Sequence, residues 1–224
     1  MPSAVRHELE SLLRTRHLDR TLTSAIAWCD TPRDVASTGT VVLDQMLGGG
    51  LTRGQLSELV GARSSGRTTV LCHMLAAAAN RGEAVALIDV CDRFDPTSAE
   101  SAGLDLSKLL WVRDTGDALR ALKAMTLVLQ AGGFGLVAFD VADVHSMMLR
   151  RFPYTTWMRM ARIIEGSQTV AVVIGSERLA RSPGGVTIAL ESAPDRPRAR
   201  WSGDSNRARF LGGIEMRTRV VGGR

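Results

Sequence analysis

Gly61-Ala62-Arg63-Ser64-Ser65-Gly66-Arg67-Thr68 follows the pattern G-x-x-x-x-G-K-[S/T], except that arginine stands where the lysine belongs. A hydrophobic strand before it (residues 55–60) and an alanine-rich helix after it (residues 68–80) give the setting that such a phosphate-cradling loop needs. In an intact loop, backbone N–H groups and the helix N-terminus wrap the phosphates. The lysine ammonium bridges the terminal phosphates, and the Ser/Thr hydroxyl binds Mg²⁺. Here Gly61 and Gly66 supply the permissive backbone and Thr68 the hydroxyl, with Ser64, Ser65 and Thr69 beside them. Arg67 keeps the charge, but its planar fork is wider than an ammonium and cannot act as a compact point charge. The expected ligand is ATP with Mg²⁺, held weakly.

A second element is the apolar strand Gly135-Leu136-Val137-Ala138-Phe139-Asp140, which ends in a carboxylate. Such a strand delivers an aspartate beside the phosphate loop, where it holds the water shell of Mg²⁺. A strand-end aspartate capping the next turn is the competing reading, and the spacing from Thr68 favours the site. Thr68 and Asp140 are thus the expected metal contacts. A third element is missing. Hydrolysis needs a group to orient or deprotonate water, usually a glutamate. The strand Ala86-Leu87-Ile88-Asp89-Val90-Cys91-Asp92-Arg93-Phe94-Asp95-Pro96 should present it, and it holds no glutamate. Asp92 is a shorter substitute, and Asp89 can serve backbone groups instead. A nucleophilic Cys91 has no histidine nearby in sequence and reads better as a core cysteine.

Outward from these motifs the chain alternates in a βα rhythm. Strands are expected at residues 84–90, 109–113, 135–140 and 169–175. Helices are expected at residues 97–103, 116–131 and 154–166. That alternation predicts a parallel, doubly wound α/β sheet with right-handed crossovers. After residue 182 short alternating strands with Pro and Gly turns predict antiparallel strands closing the sheet edge. Residues 3–22 place Val5, Leu9, Leu12, Leu13 and Leu18 at helical spacing, an amphipathic N-terminal helix. The expected divisions are residues 1–36 (helix and linker), 37–190 (core) and 191–224 (basic strands and tail that complete the core).

A chain of 224 residues can bury a large core without disulfides or metals. Cys29, Cys72 and Cys91 are an odd number at no metal-ligand spacing, as expected for reduced thiols in a cytoplasm. The N-terminus lacks the apolar core of a signal peptide, and no apolar run reaches ~18 residues, which excludes a membrane-spanning helix. Net charge is +5, and all but Lys108 and Lys123 of the lysine and arginine cations are arginines. From Glu191 onward eight arginines face four acidic residues, so that segment carries +4 of the total. Such a segment suggests a polyanion or an acidic partner, with a solvated surface as the competing reading. Single-stranded DNA is the expected polyanion, contacted by Arg196, Arg198, Arg200, Arg207 and Arg209. Trp201 either stacks on a base or anchors the edge strands.

The lead-in Ser37-Thr38-Gly39, Leu43-Asp44, Leu47-Gly48-Gly49-Gly50-Leu51, Arg53-Gly54 and Glu58 is followed in order by the loop of residues 61–69, Ile88-Asp89, Asp95-Pro96 and the Asp140 strand. This series resembles the RecA recombinases over roughly residues 37–176. The resemblance implies a RecA-like P-loop core and adds Asp95 to the nucleotide-binding candidates. Departures are equally marked. The phosphate-loop lysine is Arg67, and the catalytic glutamate falls at Cys91. The stretch between Asp140 and Trp157, a DNA-binding loop in RecA, is much shorter. Gly175-Ser176 stand where RecA has an Asn-Gln pair sensing the γ-phosphate, and the second DNA loop contracts to residues 177–185.

A shortened RecA relative with a degenerate site and an arginine-rich tail resembles the ImuA accessory proteins of mutagenic translesion synthesis, which are related to the SulA division inhibitors. That resemblance implies an ImuB polymerase-like partner, a DnaE-type polymerase and RecA as partners, with no membrane role. Three readings stand at this point: a RecA-fold adaptor of DNA damage tolerance, a minimal ATP-dependent recombinase that self-associates, and a division inhibitor. The loss of base and sensor counts against the enzyme, and the complete βα core counts against the inhibitor.

Overall fold

The computed structural model describes residues 34–180, 184–191, 199–202, 210–214 and 217–221. The expected N-terminal helix with Leu9, Leu12 and Leu13 lies outside the described residues, as do Arg196, Arg198, Arg207 and Arg209. Asp34–Arg224 forms one compact unit. It opens with β1 (Val35–Ala36), α1 (Val41–Leu47) and β2 (Leu51–Thr52), with β1 and β2 paired antiparallel. There follow β3 (Leu56–Gly61), α2 (Arg67–Asn80), β4 (Ala84–Asp89), α3 (Pro96–Ser101), β5 (Leu109–Arg113), α4 (Ala118–Ala131) and β6 (Phe134–Asp140). The chain continues through α5 (Ser146–Leu149), α6 (Tyr154–Ile164), β7 (Val170–Gly175), β8 (Thr187–Glu191), β9 (Ala199–Ser202), β10 (Phe210–Ile214) and β11 (Arg217–Val221).

Seven strands form one sheet in the order β11-β8-β3-β7-β6-β4-β5. All neighbours run parallel except β11, which is antiparallel to β8. The expected antiparallel edge is therefore β11, while β8 itself joins parallel to β3. β9 and β10, which carries the partner of Trp201 at Leu211, form a separate antiparallel pair. Both faces of the sheet are covered, so its strands read as continuous apolar runs. Along β6, Leu136 and Ala138 enter the core under α2, whereas Val137 and Phe139 enter the core under α4 and α6. β7 splits in the same way, Val170, Val172 and Ile174 against Ala171 and Val173. Trp157 of α6 fills the second core, 6.5 Å from Phe139 and 6.1 Å from Phe152 by ring centroids. Among the described residues no helix is long and apolar enough to cross a membrane.

α1 was not expected, because exposed Val41, Val42 and Met46 obscure its one buried residue, Leu43. Asp44 holds it in place, accepting from Thr38 N at 2.7 Å, Thr38 Oγ1 at 2.8 Å and Ser37 Oγ at 2.6 Å. Gly39 in that turn has φ +75°, and a Cβ there would lie 2.7 Å from the His73 carbonyl oxygen of α2. Only glycine fits this approach. Glu58 does a similar job inside the sheet. Its buried carboxylate accepts from Leu179 N at 2.6 Å, Ala180 N at 2.7 Å and Thr187 Oγ1 at 3.1 Å. It thereby ties the connection between β7 and β8 to β3. Part of the lead-in is thus scaffold: Ser37, Thr38, Gly39 and Asp44 brace α1 against α2, and Glu58 pins a loop.

Candidate nucleotide site

Parallel strands in an open α/β sheet bring their carboxyl ends to one edge, and ligands sit in the crevice outside it. In this sheet that edge carries Gly61 of β3, Gly175 of β7, Asp140 of β6 and Asp89 of β4. Asp89 and Asp140 are register partners on adjacent strands, and Asp140 is in turn opposite Ile174. The phosphate loop leaves β3 at this edge and turns into α2. Ser64 (φ 59°) and Gly66 (φ 97°) both take left-handed backbone, and Gly66 occupies the N-cap position of α2 without a capping side chain. A Cβ on Gly61 would fall 2.4 Å from Ser65 Oγ, so the loop closes only with glycine there.

A narrow cleft of about 60 Å³ opens at this point, lined among others by Arg67, Thr68, Asp89, Cys91, Asp140 and Asp143. The structure thus brings Arg67, Thr68 and Asp140 together, as the sequence predicted. Ser65 is buried behind the loop, while Ser64 and Thr69 are exposed on either side of it. Asp95 stands apart from the residues lining the cleft. Its carboxylate caps α3, accepting from Thr97 N at 3.3 Å and Ser98 N at 3.1 Å, with Pro96 starting the helix. The cap is a local role for the Asp95-Pro96 pair.

The electrostatics separate the aspartates by role. Asp89 is buried, and its two oxygens accept from Arg93 N at 3.0 Å and Phe94 N at 2.8 Å. Burial pushes the Asp140 carboxyl up to about 6, and the facing Asp89 adds to this; the Ala142 N–H and Arg67 pull the other way. Asp92 does not substitute for the missing base. It turns away, at φ 53°, and makes a two-pronged contact with Arg113 at 2.8 and 2.7 Å. Cys91 packs against the second core, as its reading as a core cysteine expects, and it also lines the cleft. Burial, then Asp143, Asp140 and Asp89, hold its thiol above the ordinary value, which disfavours the thiolate.

Arg67 is only 9% exposed, and its buried Nη1 has no hydrogen-bond partner among the described residues. A buried cationic donor of this kind fits an anion entering the cleft. A nucleotide would present its phosphates to Arg67, the loop N–H groups and Thr68. Mg²⁺, where bound, neutralises phosphate charge, and Thr68 and Asp140 are the residues that would hold it. Among the described residues no cluster of three or more His, Cys, Asp or Glu side chains is placed to hold a metal. Phosphate oxygens and water would have to complete the shell, as is usual for Mg²⁺.

Sequence reasoning missed Asp143. It reaches the cleft because the chain turns straight after β6, and two arginines approach it, Arg63 at 3.6 Å and Arg93 at 3.7 Å. Its place three residues beyond Asp140 was the available signal. Of the expected DNA contacts, only the backbone of Arg200 and Trp201 is described, on β9.

A sequence model of the RecA N-terminal domain matches residues 27–148. The RecA protein of Chlorobaculum tepidum is 38% identical over 107 residues, covering 47% of this chain and 31% of that protein. The RecA protein of Mycobacterium ulcerans is 31% identical over 163 residues, covering 66% of this chain and 46% of its own. The chain therefore spans less than half the length of these relatives. The crystal structure of the RadB recombinase superposes with a TM-score of 0.55 at 21% identity, covering 82% of this chain and 94% of that one, a likeness of fold. With the phosphate loop and the Asp140 strand inside a match that covers more than half of the sequence, the chain belongs to the RecA N-terminal domain family.

Proposed function

We propose that this protein is a RecA-derived accessory module of DNA damage tolerance, of the ImuA type, which holds partners and does not turn over ATP. The observation that carries this reading is the fate of the carboxylates around the cleft. Asp89 serves two backbone N–H groups, Asp92 is paired with Arg113, and the glutamate position holds the thiol of Cys91. Among the described residues that line the cleft none is a glutamate, the usual water-activating group. Nucleotide, if it enters, acts as a ligand that orders the loop. The connections that the RecA resemblance assigns to DNA are short here, and the one after β7 is pinned by Glu58. This supports protein surfaces, together with the arginines of residues 196–209, as the working parts. An ImuB-like polymerase-fold protein, a DnaE-type polymerase, RecA, single-stranded DNA and a second copy of this chain are the proposed partners.

The test is phosphate release from ATP with Mg²⁺, with and without single-stranded DNA, alongside co-purification with the two polymerase components. Release at the level of the blank with retention of a polymerase component is expected. DNA-stimulated turnover would instead make the protein a minimal ATP-dependent recombinase. Filamentous cells on overexpression, without polymerase retention, would make it a division inhibitor.

A further inference from the structure

Three arginines approach the mouth of the cleft from different parts of the chain. Arg67 belongs to the first turn of α2, Arg63 to the loop before it, and Arg93 to the turn between β4 and α3. Arg67 is nine-tenths buried and its Nη1 has no acceptor among the described residues. Leaving such a donor unmet is costly, and an acceptor from outside the chain removes the cost. Ser65 Oγ, also buried in the loop, has no partner either. Arg63 and Arg93 share one carboxylate, that of Asp143, at 3.6 and 3.7 Å. These are ion pairs longer than hydrogen bonds, and the two arginines are 82% and 68% exposed, so the contacts contribute little and are readily exchanged.

We infer that the cleft takes a polyphosphate with Arg63, Arg67 and Arg93 as its counter-charge, so that binding does not require Mg²⁺. The inference rests on the reading of this cleft as a nucleotide-type site. A polyphosphate carries more negative charge and more acceptor oxygens than a single carboxylate, and the guanidinium fork matches them two at a time. Asp143 is then a placeholder that keeps Arg63 and Arg93 across the mouth until phosphate oxygens take them over. The other two aspartates facing this space compete less. Asp89 is engaged by two backbone N–H groups and Asp140 by the Ala142 N–H at 3.0 Å. Cys91 adds no negative charge at the position where the RecA pattern has a glutamate. The cleft of about 60 Å³ has room for roughly two waters, so a polyphosphate would have to displace the exposed Arg93 that lines it, while Arg63 closes on the ligand from beside Asp143.

Calorimetry on the full chain with ATP and with tripolyphosphate, each in EDTA and in Mg²⁺, tests this. The ATP dissociation constant in EDTA is expected within about threefold of that in Mg²⁺. Tripolyphosphate within about tenfold of ATP identifies the polyphosphate as sufficient, and a wider gap identifies a nucleotide. Either result supports the site when EDTA leaves it intact. Asp143→Asn should tighten binding several-fold, because it releases two arginines from their competitor. Arg63→Ala with Arg93→Ala should weaken it by about tenfold at an unchanged melting temperature, since both side chains are exposed. ATP binding that disappears in EDTA, absence of binding in both conditions, or an Asp143→Asn protein with unchanged or weaker affinity overturns the inference. Binding seen only with Mg²⁺ would leave the proposed function standing, whereas DNA-stimulated turnover would remove that function and leave this binding mode intact.

Discussion

Asp140 is placed by β6 where a metal would need it, and its surroundings resist its charge. Burial and the facing Asp89 raise its carboxyl to about 6, above the value near 4 of an unfolded chain. The sign follows from linkage. A group whose folded pKa is raised favours the fold while protonated, so its contribution is present below about pH 4 and is lost as pH rises through about 6. Asp140→Asn keeps an acceptor for the Ala142 N–H and removes the charge. It should stabilise the protein by on the order of 1 kcal/mol at pH 8, with the gain vanishing near pH 4. Urea denaturation at pH 8, 6 and 4 reads this directly; a variant less stable than the parent at pH 8 would mean that the carboxylate has a partner stronger than its burial cost. At this scale the phosphate loop and Asp140 were legible because local backbone geometry dictates their residue types and order. Asp143, Arg63 and Arg93 were not. They meet only through the turn after β6, and no spacing rule links residue 63 to 93 and 143.

The connections show which elements are held by side chains and which by packing. β5 hands over to α4 through Asp114, which accepts from Thr115 N at 2.6 Å, Asp117 N at 2.9 Å and Arg120 Nε at 2.7 Å. The Arg120 hydrogen bond is the main cause holding the Asp114 carboxyl down to about 2; burial opposes it. A depressed carboxylate stabilises above the unfolded value near 4, and that stability is lost as pH falls towards 2. Asp114→Asn should therefore cost about 1–2 kcal/mol at pH 7, a difference that closes as pH falls from 4 to 2. Chemical denaturation of both proteins across that range checks it. Arg120→Ala should cost less, because its side chain is 63% exposed and its pairing is screened. Element types were legible wherever the core imposes a period: β6 and β7 split their residues between two faces, and α4 carries Ala118, Ala121, Met125 and Leu129 inward. The short α1 was not legible. Its order comes from the grip of Asp44 on Thr38 and Ser37, six and seven residues back and outside any helical period, and its exposed valines mimic a strand.

At the scale of the molecule, the chain after β8 leaves the sheet and returns as β11, which pairs antiparallel with β8 through Arg217↔Glu191 to Val221↔Thr187. Arg219 adds an ion pair to Glu191 at 2.8 Å. The two strands that flank residues 192–216, β8 and β11, lie side by side at one edge of the sheet. That arrangement was only half legible, since the sequence announced antiparallel strands but could not show that β8 runs parallel to β3. It separates two roles that charge alone confounds. Ending the chain at residue 216 should lower the melting temperature, because β8 would lose its edge partner along five register pairs. Changing Arg196, Arg198 and Arg200 together to alanine should leave the melting temperature nearly unchanged; of the three, Arg200 is described and lies on β9, outside the seven-stranded sheet. If these arginines meet single-stranded DNA, each released counterion contributes to the salt dependence. The triple variant should then bind more weakly, with a slope of log affinity against log salt reduced by about 2. Fluorescence anisotropy with a labelled oligonucleotide over a salt series measures both quantities. Unchanged affinity and slope in a folded triple variant would reassign the basic excursion to an acidic protein partner, because the same arginines would still need a counter-charge to justify their concentration there.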